Sequence, residues 1–160
     1  MLNIFKNIYR FLFFVIIDQI SKGFLINYLE KLPNKRLNIL KNFDLVHVWN
    51  YGISFGAFGS YKFSNLIFFV INFFIIVYLL ISRIKSKNNI QNFAYDLIIG
   101  GAIGNLIDRV LRGGVFDFIY LHYKDYDFPI FNGADTFIFL GVALIIYENI
   151  IYEKHKKSIA

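Results

Sequence analysis

Long apolar runs separated by short polar ones set the pattern of this chain, and the run lengths suggest what kind of protein it is. A helix that crosses a bilayer needs about 20 mostly apolar residues. Four stretches meet or approach that length. The first covers residues 8–29 and contains FLFFVIIDQISKGFLINYL; the second, FSNLIFFVINFFIIVYLLIS, covers 63–82 and is the clearest. The third, 92–112, reads NFAYDLIIGGAIGNLIDRVLR and is broken by polar groups, and the fourth runs over 132–152. Between the first two, residues 37–60 change character. Leu45, Val46, Val48 and Trp49 favour strand, while Gly52, Gly56 and Gly59 oppose helix. The pattern predicts an all-α integral membrane protein. It forms a single domain over 1–160, with four transmembrane helices and a small extracytoplasmic β-sheet cradle at about 37–60.

Composition strengthens that reading. Hydrophobic residues make up 57% of the chain and aromatics 20%, against roughly 45–50% apolar residues in soluble domains. The net charge of +6 does not form a stripe suited to nucleic acid; the cations sit between apolar runs. Lys6 and Arg10, then Arg83, Lys85 and Lys87, then Lys154, Lys156 and Lys157 occupy three short segments nearly free of acid. With four spans these fall on one side, which the positive-inside rule makes cytoplasmic. The first run holds an Asp and a Lys and lacks a small-residue cleavage site, so it is read as a retained span. There is no cysteine, which excludes disulfides, thiolate metal sites, a thiol nucleophile and lipidation of this chain itself.

The candidate chemistry lies where polar groups enter the apolar runs. Asp18 and Lys22 are four residues apart on one helix face and can pair, with an orienting ion pair as the plain reading. Gly100 and Gly104 make a small-xxx-small packing surface. Asn105, Asp108 and Arg109 follow on one face, where a structural Asp108–Arg109 cluster is the bland alternative. Asp117 sits among Val115, Phe116, Phe118 and Ile119, just after a turn at Gly113 and Gly114. Pro129 blocks helix, Asn132 is placed to cap the next one, and Asp135 would be its third residue, where the helix dipole favours an acid.

Each acid alone has a structural explanation, but Asp117 and Asp135 flank one short outer segment at the membrane boundary. If they converge, both cannot ionise at close range: one keeps a proton while the other acts as base. Asp135, beside a helix N-terminus, suits the anion, and Asp117, walled by aromatics, suits the acid. Such a pair can activate water and protonate a carbonyl, the aspartic route to peptide hydrolysis. Of the three histidines, His47, His122 and His155, only His122 is placed to approach the acids, where a metal site with Asp117 is the alternative chemistry. A proton-conducting transporter would spread its acids through the membrane depth; here they cluster toward one face. A scaffold without chemistry would tolerate Asp117→Asn.

In order, the chain carries DQISK (18–22), NYGISFG (50–56), GGAIGNLIDR (100–109), VFDF (115–118) and FNGAD (131–135). Nearly the whole chain resembles the lipoprotein signal peptidases, bacterial signal peptidase II. The resemblance implies an inner-membrane aspartic endopeptidase with both termini cytoplasmic and its active site near the outer face. It would cut diacylglyceryl-modified prolipoproteins just before the lipidated cysteine. It implies Asp117 and Asp135 as the catalytic pair. Asn50, Gly52, Asn105, Arg109 and Asn132 would bind substrate, and Asp18, Lys22 and Asp108 would brace the site. A mobile segment at 119–129 would cover it. It further implies no cofactor or metal, membrane lipid as a partner, sensitivity to globomycin-type inhibitors, no nucleic acid, and a monomer. Thr136 stands where the family commonly has Ser, and Tyr120 where an acid is frequent, which bears on substrate fit and not on the pair.

Overall fold

The computed structural model describes residues 8–52 and 61–159, with side chains for 9–52 and 65–150. Four long helices appear where the apolar runs predict them: α1 (Ile8–Leu29), α2 (Tyr61–Lys85), α3 (Asn89–Arg112) and α4 (Gly133–Ile159). Three of them, over Tyr9–Leu29, Asn65–Lys85 and Gly133–Ile150, are long and apolar enough to cross a membrane. The helix with the interrupted pattern, α3, lies among the others and packs against α1, α2 and α4. That position explains its composition. Its polar and small side chains face protein instead of lipid: Ala94, Asp96, Gly100, Gly101, Gly104, Asn105 and Asp108 are all buried. By contrast, Phe74 and Tyr78 of α2 and Phe139 of α4 are among the most exposed apolar side chains.

Glycine lets the helix backbones approach. A Cβ on Gly100 would meet Phe14 Cβ at 2.6 Å, and one on Gly104 would meet Asp18 Oδ2 at 2.5 Å, so this pair forms the α1 seam as its spacing predicts. Gly101 and Gly141 do the same between α3 and α4, against Ala134 O at 2.3 Å and Ala94 O at 2.7 Å. Helix α3 starts on an Asn88 cap, whose side chain accepts from the amides of Ile90 and Gln91, and ends at Gly113 with φ 76°, a left-handed residue that closes helices cheaply only as glycine.

The sheet is larger than the sequence pattern suggests. Strands β1 (Arg36–Leu40), β2 (Phe43–Asn50), β3 (Val115–Tyr123) and β4 (Tyr126–Asp127) form one antiparallel sheet in the order β1-β2-β3-β4. The expected stretch 37–60 therefore supplies only half of it; residues 53–60, with Gly56 and Gly59, lie outside the described residues. The other half comes from 115–127. Most of the segment expected as a mobile cover at 119–129 is here strand and hairpin. The run VFDFIYLHY is rich in aromatic and β-branched residues, and β2 gives it a partner with which to complete a ladder. The inner face of the sheet rests on α1 through Phe116, Phe118 and Leu29, joined by Leu25, Ile26, Leu37, Leu45 and Trp49.

Candidate active site

Three elements meet at one end of the helices: the start of α4, the start of β3, and the last turns of α3. A buried lysine ties them together. Lys22 Nζ lies 2.8 Å from Asp18 Oδ2, 2.9 Å from Asp108 Oδ2 and 3.0 Å from Asn105 Oδ1. An ammonium has three donors and no acceptor, so these three oxygens satisfy it completely. All three charged side chains are fully buried.

Each acid of this cluster then grips a second element. Asp18 Oδ1 accepts the amide of Ala134 at 3.0 Å, one of the orphan donors at the start of α4. Asp108 Oδ2 accepts the amide of Phe116 at 3.2 Å, at the start of β3. Arg112 and Gln19 complete Asp108 on its other oxygen. The sequence reading paired Asp108 with Arg109; the structure pairs it with Lys22 and Arg112. The reason is helical periodicity: Arg112 is one turn on and shares the face, whereas the adjacent Arg109 points about 100° away. Arg112 was missed, although the i, i+4 spacing from Asp108 to Arg112 is legible in the sequence.

The two predicted carboxylates sit directly on these braced elements, and asparagines hold both. Asn105 Nδ2 donates to Asp135 Oδ1 at 2.8 Å. Asp135 and Asn132 exchange bonds as a capping box: the Asp135 amide donates to Asn132 Oδ1 at 3.0 Å, and the Asn132 amide to Asp135 Oδ2 at 3.3 Å. Asn132 Nδ2 donates to Asp117 Oδ1 at 2.6 Å, and Asn50 Nδ2 to Asp117 Oδ2 at 2.9 Å. The orientation of every amide follows from its other contact. Asn105 must turn its oxygen to the lysine, Asn132 its oxygen to the Asp135 amide, and Asn50 its oxygen to the Gly52 amide at 2.8 Å. Each NH₂ group is thereby aimed at a carboxylate. Gly52 takes φ 108°, and a Cβ there would run into the Phe68 ring at 2.3 Å, so this turn requires glycine.

Burial and electrostatics separate the two acids. Asp117 is 2% exposed. Burial pushes its carboxyl up to about 6, against the hydrogen bonds from Asn50 and Asn132, and the charge of Asp135 adds to the rise. Asp135 is less buried. Arg109 lies in the field of both acids. Its Nη1 donates to Asn105 O at 3.3 Å and its guanidinium lies over the Phe68 ring at 5.6 Å, while its buried Nε has no partner among the described residues.

His47 and His122 fall elsewhere, and the side chain of His155 lies outside the described residues. His47 packs on Trp49 and Phe116, and His122 Nε2 lies 3.0 Å from Asp44, not beside Asp117. Among the described residues no three His, Asp or Glu side chains converge as metal ligands. The Asp44 cluster and a second buried acid, Asp96 with Arg10 and Arg83, were both missed by the sequence reading. Neither has a helical-spacing partner that would have revealed it.

Residues 10–151 match the family described as signal peptidase (SPase) II. The lipoprotein signal peptidase of Rickettsia akari (strain Hartford) is 48% identical over 147 residues, spanning 91% of this chain and 73% of the relative. That of Rickettsia prowazekii (strain Madrid E) is 50% identical over 136 residues, spanning 84% and 70%. Two solved structures, each described as a bacterial membrane enzyme, superpose with TM-scores of 0.79 and 0.76 at 33% and 34% identity. They cover 94% and 89% of this chain, and 90% of each of their own.

Proposed function

The chain belongs to the signal peptidase II family and is a peptidase of the aspartic type; from that premise we propose that Asp117 and Asp135 remove the signal peptide from diacylglyceryl-modified prolipoproteins, cutting just before the lipidated cysteine. One observation carries the assignment. Two carboxylates on separately braced elements are linked through a single residue, Asn132, which donates to Asp117 and caps the helix whose third residue is Asp135.

The chemistry follows from the electrostatics. Asp135 takes a proton from water as its oxygen attacks the scissile carbonyl carbon, and Asp117 gives its proton to the carbonyl oxygen. As the tetrahedral intermediate collapses, the C–N bond breaks, the proton on Asp135 goes to the leaving nitrogen, and Asp117 takes back a proton from one hydroxyl as the C=O bond re-forms. The pair titrates as a unit, and the raised pKa of Asp117 favours it as the proton holder. Arg109, with donors to spare, and Asn50, Gly52, Asn105 and Asn132 line the place where the substrate backbone would lie. Asp18, Lys22 and Asp108 hold the elements still, and such pre-positioning can lower a barrier by roughly 7–11 kcal/mol. No metal or cofactor takes part.

The reading also covers topology. Helix α3 spans with the other three, its polar face sheltered by them, so the chain forms one membrane-embedded domain. The basic link 83–91 and both termini lie in the cytoplasm, which puts the sheet and both acids at the outer face of the inner membrane. The exposed apolar helix faces meet lipid, and the enzyme works as a monomer that globomycin-type compounds inhibit.

The test is cleavage of a diacylglyceryl-prolipoprotein in detergent, with a chelator present, by wild type, Asp117→Asn, Asp135→Asn and Asp108→Asn. The expected result is a cut before the lipidated cysteine by wild type, none by folded Asp117→Asn or Asp135→Asn, and residual activity in Asp108→Asn. Loss of wild-type activity on adding the chelator would overturn the mechanism. A working Asp117→Asn enzyme would overturn the assignment of the pair.

A further inference from the structure

The sheet contains a second buried carboxylate, and it lies on the strand that feeds the site. Asp44, in β2, is fully buried although the neighbouring strand β1 is mostly exposed. Its Oδ1 accepts from Asn38 Nδ2 at 2.6 Å; its Oδ2 accepts from Arg36 and faces His122 Nε2 at 3.0 Å. These partners come from β1 on one side and β3 on the other. The cross-strand register puts Asn38 opposite Asp44 and Asp44 opposite Tyr120. Tyr120 carries the Arg36 guanidinium over its ring at 5.3 Å and donates its hydroxyl to Asp127 of β4 at 2.6 Å. One carboxylate thus joins three strands, and its neighbours reach the fourth.

The far ends of the same two strands carry the candidate site. Asn50, the last residue of β2, holds Asp117 of β3. Between Asp44 and Asn50 the ladder is irregular: its register shifts between Leu45 and Val48, before Val48 comes opposite Asp117. A ladder with a bulge does not fix register by itself, and a one-residue slip would turn Asp117 to the other face. Something must fix the strands beyond the bulge. The β3 strand also holds the approach to α4, since the amides of Phe118 and Ile119 donate to Phe131 O at 3.0 and 2.8 Å, next to Asn132.

We propose that Asp44 is a positioning residue for Asp117, locking β3 to β2 beyond the bulge through its contact with His122. The proposal rests on Asp117 being catalytic. Hydrogen bonds from Asn38, Arg36 and His122 outweigh the burial of Asp44 and hold its carboxyl below the usual range, so Asp44 is an anion. His122 Nε2 must then bear the hydrogen that faces it. Tyr120, whose ring centroid is 5.0 Å away, and Asp127, its register partner in β4, lie beside His122, and Arg36 shares the same Asp44 oxygen.

The experiment measures kcat and KM for wild type, Asp44→Asn, His122→Leu and His122→Gln on a diacylglyceryl-prolipoprotein. Thermal unfolding of each variant and an Asp117→Asn control accompany it. Asp44→Asn is expected to lose about tenfold in kcat with KM little changed, the cost of a small misplacement of a catalytic group. His122→Leu, which deletes the donor to Asp44, is expected to lower kcat about threefold with KM little changed. His122→Gln, which can still donate, should restore it. An unchanged kcat in His122→Leu, or a change in KM alone for Asp44→Asn, overturns the proposal. So does an Asp44→Asn loss explained by the unfolded fraction. An active Asp117→Asn control instead refutes the catalytic pair, independently of what Asp44 does.

Discussion

Replacing Lys22 with Met tests how the buried cluster works. The substitution keeps the apolar stem but removes the cation that, alone among the described residues, reaches Asp18, Asp108 and Asn105 together. Arg112 still faces Asp108, and Asp18 keeps Gln19 and the Ala134 amide, so both acids stay partly served. Even so, breaking a buried pair by deleting one partner costs about 3–5 kcal/mol, because the stranded charge remains. For a chain of this size each kcal/mol is worth roughly 2–4 °C in Tm, so a fall of roughly 6–20 °C is expected in detergent. The companion measurement is cleavage at a temperature where the variant is still folded. Asn105 loses the group that fixes its oxygen, so its NH₂ is no longer held on Asp135, and kcat should drop on the order of tenfold or more. A Tm within about 2 °C of wild type would mean that Lys22 is not the charge holding this cluster together. A folded variant with unchanged kcat would refute the link from Lys22 through Asn105 to Asp135.

Two further predictions address the acids and their caps. The folded pKa of Asp117, about 6, lies above its ordinary 3.8, so stability linked to its proton is fully present below pH 3.8 and is lost as pH rises through about 6. If Asp117 delivers the proton, kcat/KM should fall on the alkaline side of about pH 6; a profile flat from pH 5 to 8 would contradict that role. Asn132→Ala should lower stability by about 1 kcal/mol through loss of the helix cap and also abolish most activity. Asn132→Ser should recover the cap, read as Tm, without recovering the rate, because the shorter side chain does not reach Asp117; parallel recovery of both would show that Asn132 acts only as a cap.

Much of this protein is written in its sequence because single local rules suffice. Run length placed the starts of the four helices to within three residues, while α4 runs on past the expected end to Ile159. The step from Asn132 to Asp135 announced a helix start, and the four-residue step from Asp18 to Lys22 announced an ion pair that the structure contains. Asp117 stood out because charge among aromatics needs a partner. Tertiary structure decided everything that depends on which elements meet. It made half the sheet from β3, whose partner strand lies some 70 residues away, with Val48 opposite Asp117. It sent Asp108 to Lys22 and Arg112 instead of Arg109, and it collected Asp44, Arg36 and His122 around one oxygen. The physical division is one of range. Hydropathy and helical spacing act between near neighbours and can be read along the chain. The pairing of buried polar groups is settled in space, where each must find whatever partner packing brings within about 3 Å.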